Sequence, residues 1–250
     1  MYTIRSTIFS IGYSVATVFY STLAVLLFML PFKTRHKMII SWTIFIVWWV
    51  NVTMGIKYRV SGNVHPNTQK PVLILSKHQS TWETFFLQGK FWPSSTILKR
   101  ELLRIPFFGW GLKALNPIAI DRANPRESLK QVRNGAKERL EAGYNLILFP
   151  EGTRIGVDEQ VKYARSGADI AIANNVDIIP IAHNAGHFWP CNKGKKRAGV
   201  IDVVIGEPIS PEGKTSKALI AEVEQWIEGQ MATLPAPLST SINKSEQPHG

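Results

Sequence analysis

The stretch LILSKHQSTWETF, residues 73–85, sets His78 five residues ahead of Glu83. A carboxylate at that spacing can hold one nitrogen of an imidazole while the other takes a proton from a hydroxyl. Five residues of regular helix turn through about 500°, so the two side chains meet only if His78 lies outside the helix. A strand ending near Ser76 and a helix start at Ser80 predict that His78 occupies the connecting turn. The same residues also have a purely structural use. STWE, residues 80–83, has the form of a capping box, in which the Ser80 hydroxyl and the Glu83 carboxylate satisfy amides at a helix start. Orienting the imidazole and capping the helix are rival uses of one carboxylate.

Three further stretches carry groups suited to an anionic ligand. FPEGTR, residues 149–154, follows the apolar run NLILF and places Glu151, Gly152, Thr153 and Arg154 in a strand-end turn, where ligands of α/β sheets commonly bind. LKRELLRIPFFGWG, residues 98–111, joins Lys99, Arg100 and Arg104 to an apolar turn, and PIAIDR puts Arg122 at another strand end. Arginine meets a phosphate through two parallel N–H bonds and lysine as a point charge. The structural alternative for each cation is a solvated surface. No Gly-x-Ser-x-Gly elbow is present, Cys191 is the only cysteine, and no His-Glu-x-x-His spacing occurs. A covalent intermediate on serine or cysteine, an intrachain disulfide and a zinc centre are therefore not expected.

These residues need a scaffold, and 250 residues suffice for one large domain with an appendage. The 29 Lys+Arg against 18 Asp+Glu give a net charge of +11, which suits anionic partners such as a phospholipid surface or phosphorylated small molecules. No Asp or Glu precedes Glu83. Residues 6–32 and 38–56 are uncharged; as helices they would be about 40 Å and about 28 Å long, against roughly 30 Å of hydrocarbon. Lys33, Arg35 and Lys37 before the second run, and Lys57 and Arg59 after it, place both its ends on the cytoplasmic side. That predicts a first helix that spans or dips into the membrane and a second, carrying Trp42, Trp48 and Trp49, that lies in the interface. Two ordinary spans, with the remaining domain outside the cytoplasm, are the alternative.

Beyond Lys57, short apolar runs alternate with amphipathic stretches. The pattern predicts an α/β fold with a central mixed, mostly parallel sheet flanked by helices, preceded by the two-helix membrane anchor. Strands are expected at 72–76, 95–98, 117–120, 145–149, 178–182 and 200–205, and helices over 127–143, 163–175 and 216–230. The expected domains are an anchor at 1–57, an α/β unit at 58–233, and a Pro- and Ser-rich tail at 234–250 that lacks the apolar residues to pack.

Four blocks stand in order: His78 to Glu83, KRELLRIPFFGWG, FPEGTR, and VDIIPIAHNAG around Pro180. Together they resemble the glycerolipid acyltransferases, the family that includes 1-acyl-sn-glycerol-3-phosphate acyltransferases. The resemblance covers roughly residues 60–210. It implies that His78 is the general base and Glu83 its partner. It further implies that Arg154 and Lys99 meet the acceptor phosphate, that Glu151 and Gly152 shape the acceptor site, and that Pro180 forms its apolar wall. Thr153 and Arg122 complete the expected substrate-binding set. The chain departs from the family at Glu83, where an aspartate is usual; the added methylene lengthens the carboxylate.

The expected reaction is acyl transfer from acyl-CoA or acyl carrier protein (acyl-ACP) to the sn-2 hydroxyl of lysophosphatidic acid, giving phosphatidic acid. Backbone amides near Ser80 are expected to hold the oxyanion. The expected partners are the phospholipid bilayer, lysophosphatidic acid and the acyl thioester, with no nucleic acid, no metal and no cofactor. The expected location is the cytoplasmic face of a membrane, of bacterial inner-membrane type. Another lysolipid or glycerol-3-phosphate as acceptor, or a catalytically silent lipid-binding protein, are the alternatives.

Overall fold

The fold is described by a computed structural model covering residues 2–27, 29–63, 70–121, 123–191 and 194–236. The chain begins with two helices, α1 (Tyr2–Leu26) and α2 (Phe32–Met54). The α/β unit follows: β1 (Ile56–Gly62), β2 (Leu73–Ser76), α3 (Trp82–Lys90), β3 (Ser94–Lys99), a 3-10 turn (Arg100–Arg104), α4 (Phe108–Ala114), β4 (Ile118–Ile120) and α5 (Pro125–Glu141). It closes with β5 (Asn145–Leu148), α6 (Ser166–Asn174), β6 (Ile178–His183), α7 (Ala185–Phe188), β7 (Gly199–Ile205) and α8 (Ser216–Thr233). Each expected strand is present, and β1 is an addition. Its sequence IKYRVSG offers no apolar run, because it lies at the sheet edge with most of its side chains exposed.

The seven strands are ordered β1-β7-β6-β2-β5-β3-β4. All pairings are parallel except that of β6 with β7, so the sheet is mixed and mostly parallel. Central β2 is buried at all four positions, as expected of a parallel strand covered on both faces. The two faces separate by residue parity. Ile74, Ile147, Ile179 and Ile181 join a core with α1, α2 and α3. Leu73, Leu75, Leu146, Leu148, Ile178 and Ala182 join a second core with α5, α6 and α8.

α1 and α2 form a hairpin laid on the domain. Trp49 Nε1 donates to Phe9 O at 3.1 Å, Arg5 Nε to Thr53 O at 2.7 Å, and Ser41 Oγ to Tyr20 Oη at 3.1 Å. Both helices are long and apolar enough to cross a membrane. Yet each keeps one side on protein: Phe9, Ala16 and Ala24 of α1, and Ile39, Trp42, Ile46 and Val50 of α2, are buried. The other side of α1 exposes Ile4, Ile8, Ile11, Val15 and Val18, a stripe at helical spacing. α2 exposes Met38, Ile44, Trp48 and Val52. Trp42 therefore differs from expectation, facing the core while Trp48 faces out. Lys33, Arg35 and Lys37, read from sequence as a linker, occupy the first turns of α2.

A side chain at Gly12 would overlap the Trp49 indole. Gly12→Leu should therefore separate the hairpin at a cost of roughly 1–3 kcal/mol, the usual range for overpacking. A lowered thermal midpoint of the purified protein in detergent is the expected readout; an unchanged midpoint would mean that the two helices are not in this contact.

Candidate active site

His78 lies in the turn between β2 and α3, outside the helix, and its Nδ1 is 2.9 Å from Glu83 Oε1. The same oxygen accepts the backbone N–H of Gln79 at 3.1 Å and of Ser80 at 2.8 Å. Capping and orienting are thus one arrangement around one oxygen. The Ser80 hydroxyl accepts from Trp82 N at 3.0 Å, completing the helix start. Glu83 is fully buried. Burial alone would raise its pKa, but the His78 hydrogen bond, the neighbouring His183 and His78 rings and the Ser80 amide together hold it below the ordinary carboxylate value. An ionised Glu83 only accepts, so His78 carries its proton on Nδ1 and leaves Nε2 as the basic nitrogen.

Two further constraints fix the ring. Phe149 stacks on it with centroids 3.8 Å apart and planes 14° from parallel. The backbone of residue 78 is tied to the turn after β5 on both sides: His78 N donates to Glu151 Oε1 at 3.3 Å, and Ile155 N donates to His78 O at 2.9 Å. Arg154 Nε adds a third tie, donating to Ser80 O at 2.8 Å. The turn itself is closed by Gly152 N donating to Phe149 O at 3.0 Å, with Gly152 at φ +72. That left-handed value is why glycine suits the position.

These turns border a cavity of about 1130 Å³ that reaches His78, Phe149, Gly152, Thr153, Arg154 and Lys99. Its apolar walls come from both sides of the sheet edge, Tyr13, Trp42, Phe85 and Phe108 on one side and Ile120, Val132 and Leu148 on the other. The space is large for a single drug-sized ligand and suits a long apolar chain. It lies at the C-terminal ends of β2 and β5, the expected location in an open parallel sheet.

The structure therefore brings together His78, Glu83, Lys99, Gly152, Thr153 and Arg154. It does not bring Pro180 or Glu151 to the cavity lining. Pro180 shares parity with Ile178 and Ala182, on the sheet face covered by α8, where a side chain at Gly206 would meet both Pro180 and Trp226. Glu151 is buried and turns inward to Lys77, whose Nζ is 3.6 Å from its Oε1. Burial pushes its pKa up to about 7, against the pull of its own amide, Lys77 and the His78 amide and with the push of Glu228. Arg122 lies outside the described residues. Of the amides at the helix start expected to hold an oxyanion, those of Gln79, Ser80 and Trp82 are already engaged.

Three residues with a part in this geometry carry no signal of their own in the sequence. Phe149 stands in the sequence as the end of an expected strand and the start of the FPEGTR block, and Lys77 and His183 stand inside the quoted stretches with no role of their own. His183 is fully buried; its Nε2 donates to Lys77 O at 2.8 Å and its Nδ1 accepts from Ala185 N at 3.3 Å. Burial lowers its pKa, and the two bonds define a neutral ring with a structural use.

The site is an oriented imidazole–carboxylate pair, its carboxylate fully buried, beside an apolar cavity at the C-terminal ends of two parallel strands. Residues 57–184 match the family described as Acyltransferase, and the chain belongs to that family. It is 42% identical to 1-acyl-sn-glycerol-3-phosphate acyltransferase of Pseudomonas aeruginosa over 97% of this chain and 96% of that one. It is 27% identical to the enzyme of the same name from Saccharomyces cerevisiae, over 73% of this chain and 61% of the other. The crystal structure of the 1-acyl-sn-glycerophosphate acyltransferase PlsC from Thermotoga maritima has the same fold, with a TM-score of 0.78, 24% identity, and coverage of 96% of this chain and 100% of that one.

A carboxylate depressed in the folded state stabilises it above the unfolded value, and that contribution is lost as pH falls through the folded value. Stability from Glu83 should thus be complete above its ordinary value of 4.5 and decline below it. Glu83→Gln should cost about 1–3 kcal/mol at pH 7, as for a hydrogen-bonded charge, and should show a shallower acid decline than the parent in denaturant titrations. Parallel acid declines would sink the assignment.

Proposed function

We propose that this chain transfers an acyl group from acyl-CoA or acyl-ACP to the sn-2 hydroxyl of 1-acyl-sn-glycerol-3-phosphate, forming phosphatidic acid, with His78 as general base. The observation that carries the reading is the His78 Nδ1–Glu83 Oε1 contact of 2.9 Å beside a cavity that also holds Arg154 and Lys99. In this reading Nε2 takes the acceptor's proton while its oxygen forms a bond to the thioester carbonyl carbon. Collapse of the tetrahedral adduct breaks the carbon–sulfur bond, and the imidazolium returns the proton to the leaving thiolate. Arg154 and Lys99 hold the acceptor's phosphate, Gly152 and Thr153 bound its place, and the apolar walls take its chain. Only residues of this chain and the two substrates enter this sequence of steps; no metal or cofactor is required by it.

The names of the relatives support the acceptor, and the cations in the cavity suit its charge. The exposed apolar stripes of α1 and α2 support a membrane-bound protein whose helices lie along the leaflet instead of crossing as independent spans. The basic residues in the first turns of α2 and just after its end support the cytoplasmic side, where anionic lipid and positive-inside topology agree.

Release of free thiol from acyl-CoA in the presence of lysophosphatidic acid tests the activity directly. His78→Ala should lower kcat by roughly 10²- to 10⁴-fold, the usual share of a general base, with a thermal midpoint close to the parent's. Turnover that survives in His78→Ala, or thiol release that does not depend on acceptor, would refute the reading. Lys99→Ala should instead raise KM for lysophosphatidic acid by about ten-fold, the value of one exposed charge-assisted contact, and leave KM for acyl-CoA unchanged.

A further inference from the structure

Lys77 immediately precedes the proposed base, and its side chain is only 2% exposed. Its Nζ is 2.6 Å from Glu228 Oε1 and 3.6 Å from Glu151 Oε1, and it lies 5.8 Å from the centre of the Tyr163 ring. Tyr163 Oη donates to the same Glu228 oxygen at 2.7 Å. Burial and the nearby carboxylates keep the Tyr163 hydroxyl protonated, so its role as donor is fixed. The Lys77 backbone is pinned as well: its N–H donates to Ile181 O at 3.1 Å and its carbonyl accepts from His183 Nε2 at 2.8 Å. A buried ammonium with two carboxylates is costly to assemble and is a weak source of stability, whereas removing one partner strands a charge. The cluster therefore calls for a reason beyond holding α8 to the sheet, which Leu219, Ile220, Val223 and Ile227 already do.

The reason lies in what Glu151 does with the same oxygen. Glu151 Oε1 faces Lys77 and also accepts the backbone N–H of His78. We infer that Lys77 is a positioning residue, its ammonium bridging Glu228 of α8 to Glu151 and thereby fixing the backbone from which the His78 imidazole projects. This inference rests on the reading of His78 as the base. It makes α8, which contributes nothing to the cavity lining, part of the active-site support. Neither Lys77 nor Glu228 lines the cavity, so in this inference they act through His78.

The charge balance gives a signature that packing alone does not. The charged and titratable groups around His78 are Glu83 from α3, His183 from β6, Glu151 and Arg154 from the turn after β5, and Lys77 itself; Glu224 and Glu228 face the cluster from α8. Loss of the Glu228 charge leaves the ammonium unbalanced and disfavours a protonated His78. Loss of the ammonium leaves the Glu228 carboxylate unbalanced and favours one.

The experiment compares Glu228→Gln, Lys77→Met and the double variant Lys77→Met/Glu228→Gln in full-length protein, with His78→Ala in parallel. The assay is thiol release from acyl-CoA with lysophosphatidic acid across pH. Each single variant should lose about ten-fold or more in kcat, as for a displaced reacting group, with both KM values within about two-fold of the parent's. The ascending limb of kcat should move by roughly 0.5–1 pH unit, downward in Glu228→Gln and upward in Lys77→Met. In the double variant the limb should return toward the parent's, while kcat stays low because the bridge to Glu151 is gone. Parental kcat and limb in a folded Glu228→Gln would overturn the inference, as would shifts in one direction in both single variants. If neither single variant folds, the charge-balanced double variant decides, and parental kcat there overturns the role of Lys77. Retained turnover in His78→Ala would defeat the underlying reading of the site; an inactive His78→Ala beside parental Lys77 and Glu228 variants would defeat this inference alone.

Discussion

One carboxylate oxygen governs this site. Glu83 Oε1 receives the imidazole N–H of His78 and the amides of Gln79 and Ser80, and it does so from a position with no exposure to solvent. A carboxylate in such a place is tolerable only because its donors are supplied by the turn it organises. The arrangement is reciprocal: the turn cannot close without the anion, and the anion cannot be buried without the turn. The tautomer of His78 follows from it, and so does the start of α3. The two uses that compete on paper for Glu83 are met by a single oxygen because His78, Gln79 and Ser80 are consecutive and curl around it. The extra methylene of glutamate relative to aspartate is accommodated in this geometry, with Oε1 within hydrogen-bond distance of all three donors.

The second turn makes the first one rigid. Phe149 gives the imidazole a flat surface, while Ile155 and Arg154 bond to carbonyls at positions 78 and 80. Neither β2 nor β5 alone could hold the ring; their adjacency in a parallel sheet places both strand ends at one edge. The sheet order thus has a chemical consequence, since β2 leads into α3 on one face and β5 leads toward α6 on the other. The cleft between the diverging connections is where the cavity forms.

Much of this was legible in the chain. The His78–Glu83 contact follows from helical geometry plus a strand end, and six strands follow from short apolar runs. What stayed hidden has physical causes. β1 lacks an apolar run because an edge strand has little to bury. Pro180 sits in a block whose order matched expectation, yet position along a sequence does not give direction; parity groups it with Ile178 and Ala182, and only the packing of α8 on that face shows where it points. Glu151 belongs to a turn aimed at ligand, but its carboxylate bends back to a lysine that sequence alone presents as solvent-exposed. Lys77 is buried only because Glu228, 151 residues later, arrives beside it, and such long-range compensation leaves no local pattern. Trp42 and Trp48 differ by six residues, enough to send one into the core and the other outward, and a count of tryptophans cannot separate them.

The exposed stripe along α1 changes the space in which the proposed reaction takes place. A domain lying along a leaflet, with Tyr13 and Trp42 of its own anchor lining the cavity, meets its lipid by lateral diffusion within a plane. Its saturation is then governed by the fraction of lysolipid among surrounding lipids, whatever the volume of water around the vesicles. In the proposed reaction the thioester would arrive from the third dimension, through water, and obey ordinary molarity, so its two substrates would answer to two different units of concentration.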